Sequence, residues 1–187
     1  LVEEVANRED EADKMYWLIL RVIGNAQDDA GFAEKVGVTN PRYLLAYRII
    51  IKALEDIADY LETIASQILK VIQSIKKPNE NTFKDLYEIG EEVLKVYSDA
   101  FESFITDDIM KANGSLKAKE EVEKEEENII INILKETRNP EITCIARTIS
   151  RAFLRIADYG ATMAHIAINM YVIKEGKIIE TISPENE

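Results

Sequence analysis

A chain of 187 residues is long enough for one domain, or for two small ones sharing a core, and can bury that core without disulfides or metals. Its 47% hydrophobic content excludes disorder, and 4 Pro with 7 Gly supply too few turns for an all-β fold. A formal net charge of −12 repels phosphate backbones and anionic lipid, so direct nucleic-acid binding and bare-membrane attachment are not expected, whereas cations or a basic partner surface suit it.

Val2, Val5, Ala12, Met15, Tyr16, Ile19, Leu20 and Ile23 keep the three-four spacing of an amphipathic helix. Gly24-Asn25 weakens it, and the stretch from Asp28 to Asn40 reads as a connection with one short turn of helix. Asn40-Pro41 signals a new helix, an N-cap residue followed by Pro at the first helical position. Nothing interrupts the pattern before Lys77, and Pro78 stops it; a helix of ~36 residues spans about 54 Å. A third helix is expected from Thr82, capped there or at Asn81, to a stop at Asn113-Gly114. Ser115 then caps a fourth, strongly acidic from Glu120 to Glu127 and ending near Arg138-Asn139. Asn139-Pro140 repeats the start signal, and a fifth helix runs to about Glu175-Gly176, leaving a tail that reads as a short strand or a frayed end. The sum is an all-α bundle of long, mostly antiparallel helices.

The sequence also resembles itself at a shift of 99 residues. Lys52-Ala-Leu-Glu-Asp-Ile-Ala-Asp-Tyr60 aligns with Arg151-Ala-Phe-Leu-Arg-Ile-Ala-Asp-Tyr159, and Arg48 and Thr63 align with Arg147 and Thr162. Shared apolar positions would follow from amphipathicity alone; shared Arg, Asp and Thr do not. Each copy follows an Asn-Pro start and is preceded by a helix that opens on a dense acidic cluster. Two copies of one helical unit are therefore expected side by side.

Catalytic constellations are missing. Cys144 is the only cysteine, which fits a reducing compartment and reads as a small thiol on a helix. His165 is the only histidine, and the residue three before it is Thr162, so the Glu-x-x-His pairs of a di-iron bundle cannot be assembled. Glycine-rich phosphate loops, zinc spacings and a Ser-His-Asp set are likewise absent. No uncharged run approaches the ~18 residues of a membrane span. Leu1-Val-Glu-Glu has neither the basic start nor the apolar middle of a signal peptide, and the missing initiator Met suggests an upstream segment. A cytoplasmic, non-enzymatic protein is the expectation.

Carboxylates are the one chemistry the pattern offers. Glu9 with Asp13 and Glu55 with Asp59 are pairs four apart, hence on one helix face with about 5–6 Å between Cβ atoms. Two adjacent helices each carrying Glu-x-x-x-Asp would present four carboxylates to a hard cation, which relieves their mutual repulsion. The plainer reading is a solvated acidic face with Arg8, Lys14 or Lys52 as counter-ions. Asp59 is wedged among Leu54, Ile57, Ala58, Tyr60 and Leu61, where a carboxylate wants a metal or a basic partner. For Asp158 that partner can be Arg155, three residues before it.

The repeated Lys52–Tyr60 and Arg151–Tyr159 segments resemble the motif of the prokaryotic phosphate-uptake-regulator family, PhoU, close to Arg-x-Leu-Glu-Arg-Ile-(Gly/Ala)-Asp-His/Tyr. Residues Arg8 to Arg21 look like the helix preceding the first motif, especially in members whose PhoU-like region follows an AbrB-like DNA-binding domain. The resemblance implies tandem three-helix bundles with carboxylate-bound metal clusters, and a negative regulator of phosphate uptake working with a phosphate transporter or a sensor kinase. With an AbrB-like domain upstream, the chain would be the effector-sensing part of a larger transcriptional regulator. The repeats would occupy residues 1–77 and 82–176, followed by a tail at 177–187, with the first bundle lacking its opening helix. Carried over by motif, the metal ligands are Glu9, Asp13, Glu55 and Asp59, then Glu125 and Asp158 in the second copy. There Ile129 and Leu154 stand where carboxylates belong, so the second cluster is expected to be weak or absent. The ion would be divalent or trivalent, with iron, manganese, zinc and magnesium indistinguishable. The open face of the first bundle, near Tyr16 and Trp17, would recruit a second chain and make a homodimer. A metal-buffering bundle and an acidic interaction scaffold are the alternatives without a phosphate role.

Overall fold

Local signals place most helix boundaries in the computed structural model, which describes residues 2–74, 80–136 and 139–175. The helices are α1 (Val2–Asp28), α2 (Ala30–Lys35), α3 (Arg42–Ser74), α4 (Glu80–Thr106), α5 (Ile109–Glu136) and α6 (Pro140–Lys174), with no strand among the described residues. Both Asn-Pro signals act as caps: Asn40 Oδ1 accepts from the Arg42 amide at 3.0 Å, and Asn139 Oδ1 accepts from the Glu141 amide at 2.9 Å. Gly24 does not end α1. The connection that follows holds a six-residue helix, capped by Asp29 through the Gly31 and Phe32 amides. Gly37, at φ +80°, turns the chain after it. The tail at 177–187 lies outside the described residues.

One boundary differs from the sequence reading. The third long helix stops at Asp107–Asp108, not at Asn113-Gly114. Asp107 takes a left-handed φ of 57°, and Asp108 Oδ1 accepts from the Met110 and Lys111 amides, both at 3.0 Å. Two consecutive Asp residues thus supply the stop and the next start together. Lys174 at the end of α6 grips Asp107 at 2.7 and 2.5 Å and fixes the corner. Ser115 lies inside α5, buried, and donates to the Val96 carbonyl at 2.8 Å. Replacing Asp108 by Ala removes both cap bonds; about 1 kcal/mol is expected to be lost, lowering the melting temperature by about 2–4 °C in a circular-dichroism melt.

Helices α4, α5 and α6 pack on one another as a three-helix unit; α1 packs on α3 and α2, and α3 packs on α6 to join the two units. The main core runs through Ile89, Val96, Val122, Ile133, Ala157 and Met163, each at most 1% exposed. A second, smaller core of Ile23, Ala26, Leu44 and Ile51 lies between α1 and α3, with Tyr16, Phe32 and Tyr47 packed on it. The α3–α6 junction is built from equivalent residues of the repeat. Tyr60 and Tyr159 meet with ring centroids 6.3 Å apart. Tyr159 faces Asp56, while Arg155, the repeat equivalent of Asp56, faces Tyr60. Such reciprocal contacts relate the two motifs by an approximate two-fold axis.

Candidate functional site

Antiparallel packing of α1 on α3 sets the first turns of α1 beside the middle of α3, where Lys52 lies 5.7 Å from the centroid of the Tyr16 ring. Upstream of Tyr16, Glu9 and Asp13 project one turn apart from α1 toward Asp59 of α3. One oxygen from each of Glu9, Asp13 and Asp59 lies within 4.8 Å of the others, and the same holds for Glu55, Asp56 and Asp59. Asp59 belongs to both triads and joins them.

Oxygens held at roughly 2.0–2.6 Å from one ion lie up to about 5 Å apart, so either triad is dimensioned for a cation. All donors are carboxylates, which favours a hard ion over a thiolate- or imidazole-seeking one. The triads differ in how their charge is met. Lys52 pairs with Glu55 and sits 2.9 Å from Asp56, and these bonds hold its proton more tightly than usual. No salt bridge reaches Glu9, Asp13 or Asp59 among the described residues.

The uncompensated triad titrates accordingly. Desolvation, then the nearby charges of Asp13, Glu62 and Asp59, push the half-buried Glu9 carboxyl above its usual value. Asp59 is also raised, chiefly by desolvation, with Lys52 opposing and Asp13, Asp56 and Glu62 reinforcing the shift. The folded chain therefore binds these protons more tightly than the unfolded chain. Their contribution to stability is largest below the usual carboxylate range and is lost as pH rises through the raised values. Metal-free protein is expected to gain stability from this site on acidification from pH 7 into the ordinary carboxylate range, and Asp59→Asn to lose part of that gain. Paired urea melts at pH 7 and in that range measure the difference.

In the second unit the structure places the expected ligands apart. Asp158 is 3.1 Å from Lys119 on α5 and 3.3 Å from Arg155, and Lys119 also holds Glu123 at 2.5 Å. Glu125 lies six residues beyond Lys119, about 9 Å along the helix and on another face, where it meets Glu92 of α4. Desolvation, then the hydrogen bond to Glu125, raises the Glu92 carboxyl. Assigning Glu125 as the partner of Asp158 is thus corrected: the residues across from Asp158 are Lys119 and Glu123. A lysine there and Leu154 in place of Glu55 turn an acidic cluster into an ion-pair network. Sequence reasoning also passed over Asp56 as a ligand, although its three-residue spacing to Asp59 places both on one helix face.

Together these features define a class: an all-helical bundle of two related units, of which the first gathers carboxylates from two helices around one shared aspartate. Residues 1–68 and 86–167 match the profile of the PhoU domain, and the chain belongs to the PhoU domain family. The fold is similar to the crystal structure of the phosphate transport system regulatory protein PhoU from Streptococcus pneumoniae. That match has a TM-score of 0.74 and 17% sequence identity, and it covers 90% of this chain and 78% of the other. No curated protein matches the sequence.

Proposed function

We propose that this protein is a non-enzymatic regulator of phosphate uptake that holds a hard divalent or trivalent cation at Glu9, Asp13 and Asp59, with Glu55 and Asp56 as a second, Lys52-neutralised triad. It acts in the cytoplasm through a phosphate transporter or a sensor kinase. Convergence of carboxylates from α1 and α3 on Asp59, in a chain of the PhoU domain family, is the observation that supports this reading. The cation cancels the repulsion between α1 and α3 and stiffens the face that a partner meets. No described helix is long and apolar enough to cross a membrane, so contact with a transporter is a docking event in this reading.

Deleting the gene in its host and measuring phosphate uptake at high external phosphate tests the proposal. Uptake is expected to stay high in the deletion strain and to fall again with the wild-type gene but not with Asp59→Asn. Uptake unchanged by deletion would overturn the phosphate role. Full rescue by Asp59→Asn would overturn the role of the metal while leaving the regulator intact.

A further inference from the structure

The two units turn their chains in different ways. Residues 137–139 alone join α5 to α6, whereas residues 29–41, which include α2, join the corresponding helices α1 and α3. Reversing the chain does not need that insertion, as the second unit demonstrates. The insertion is nevertheless tied down. Asp29 accepts from the Gly31 and Phe32 amides at 2.8 and 3.1 Å, and the Val38 amide donates to the Ala33 carbonyl at 2.9 Å. Phe32 packs on the smaller core, yet no residue of α2 is itself buried.

What the insertion builds is a cleft of about 860 Å³ between the end of α1, α2 and the start of α3. Ligand pockets fall at about 300–1,000 Å³ and combine apolar walls with a few polar groups. The walls here are Ile23, Ala26, Ala33, Val38 and Leu44, and the polar side chains are Gln27, Glu34, Thr39 and Arg48. No hydrogen bond or salt bridge engages any of those four side chains among the described residues. For Arg48 this is the more telling because the chain carries 35 Asp and Glu to pair with.

The cleft is separate from the face through which helices of a unit close on one another. In the second unit α4 approaches α6 at Phe153 and Gly160, whose α3 equivalents are Leu54 and Leu61. Neither lines the cleft. The equivalents of Leu45 and Arg48 are Cys144 and Arg147, and both stay exposed with α4 in place. A helix set against α3 as α4 is set against α6 would therefore leave the cleft open.

We propose that this cleft binds a small amphipathic monocarboxylate, with its hydrocarbon body on the apolar walls and its carboxylate on Arg48. A guanidinium matches a carboxylate with two parallel hydrogen bonds. Glu34 on α2 and the net charge of −12 penalise a second negative charge, which favours a carboxylate over a phosphate head. Ala26, Ala30 and Ala33 keep the walls thin, leaving room for the hydrocarbon body. The cleft shares no residue with the carboxylate triads, so this inference is independent of the cation site.

The probes are decanoate and its uncharged counterpart 1-decanol, titrated calorimetrically into the metal-free 187-residue protein. Wild type is expected to bind decanoate, and Arg48→Gln to weaken it at least about tenfold while binding 1-decanol as wild type does. Ala30→Trp, a substitution at an exposed position that fills the cleft, is expected to weaken both probes. Leu61→Asn, outside the cleft, is expected to bind both as wild type does. Circular-dichroism melts of each variant check the fold, and Ala30→Trp still locates the ligand should Arg48→Gln lose stability. No decanoate binding by wild type, or equal binding by Arg48→Gln, overturns the proposal. So does binding that Leu61→Asn abolishes and Ala30→Trp leaves intact, which would place the probe elsewhere on α3.

Discussion

A hundredfold excess of Mn²⁺ or Mg²⁺ over its dissociation constant is expected to stabilise the wild-type protein by about 2.7 kcal/mol, and Asp59→Asn by almost nothing. For a chain of this length that corresponds to a rise in melting temperature of about 5–10 °C, read directly by scanning calorimetry. Asp59 is the residue to change because both triads use it; replacing Glu9 or Glu55 would leave the other triad whole. Asparagine keeps the shape and one oxygen but removes the charge that a hard cation needs. Without metal the same substitution is expected to raise stability at pH 7, since the Asp59 charge is partly desolvated and faces Asp13, Asp56 and Glu62. Opposite signs with and without metal would not arise from a purely structural aspartate. Glu125→Gln is expected to leave the metal response unchanged, because Glu125 faces Glu92 on the far side of α5. An equal thermal shift in Asp59→Asn and wild type would remove the cation from this site.

Features written in neighbouring residues were readable from the chain. An Asn-Pro start needs only its own side chain and the amide two residues on, and both instances cap helices as the pattern implied. The acidic pairs of α1 and α3 were legible because a four-residue spacing fixes a face without any tertiary information. What failed required knowing how one helix slides along another. Asn113-Gly114 and Asp107-Asp108 are both plausible breaks; the choice falls to Lys174 reaching Asp107 and to Ser115 reaching Val96, contacts across long stretches of chain. The acidic run from Glu120 to Glu127 offers several registers against α6, and motif matching selected Glu125. The register is set instead by Lys119 on Asp158 and by Ser150 donating to Glu126 at 2.7 Å. Asymmetry between the units was legible in part: Leu154 and Arg155 marked the second cluster as weak, with Asp158 paired to Arg155, whereas Lys119 as its other partner depends on the register of α5 against α6.

Gly160→Leu is expected to destabilise the protein by about 3 kcal/mol, or about 6–12 °C in melting temperature, more than any other single substitution considered. At Gly160 even a Cβ would sit 3.2 Å from a Val96 methyl and 3.4–3.5 Å from the Tyr97 Cα and N, and the backbone of α4 cannot step aside as a side chain would. Val96 is wholly buried, so displacing it disturbs the centre of the main core. Gly160→Ala is expected to be near neutral, with about 1 kcal/mol of helix propensity offset by the tight contact. The control lies in the other unit. Leu61, the repeat equivalent of Gly160, is 47% exposed, and Leu61→Ala is expected to cost less than about 1 kcal/mol because little buried contact is lost. A large difference between the two positions in urea melts reads out α4 packed on Gly160 and the exposed setting of Leu61 among the described residues. Were Gly160→Leu to unfold with the wild type, α4 would stand off from α6 at this point, against the close approach of Val96 and Tyr97.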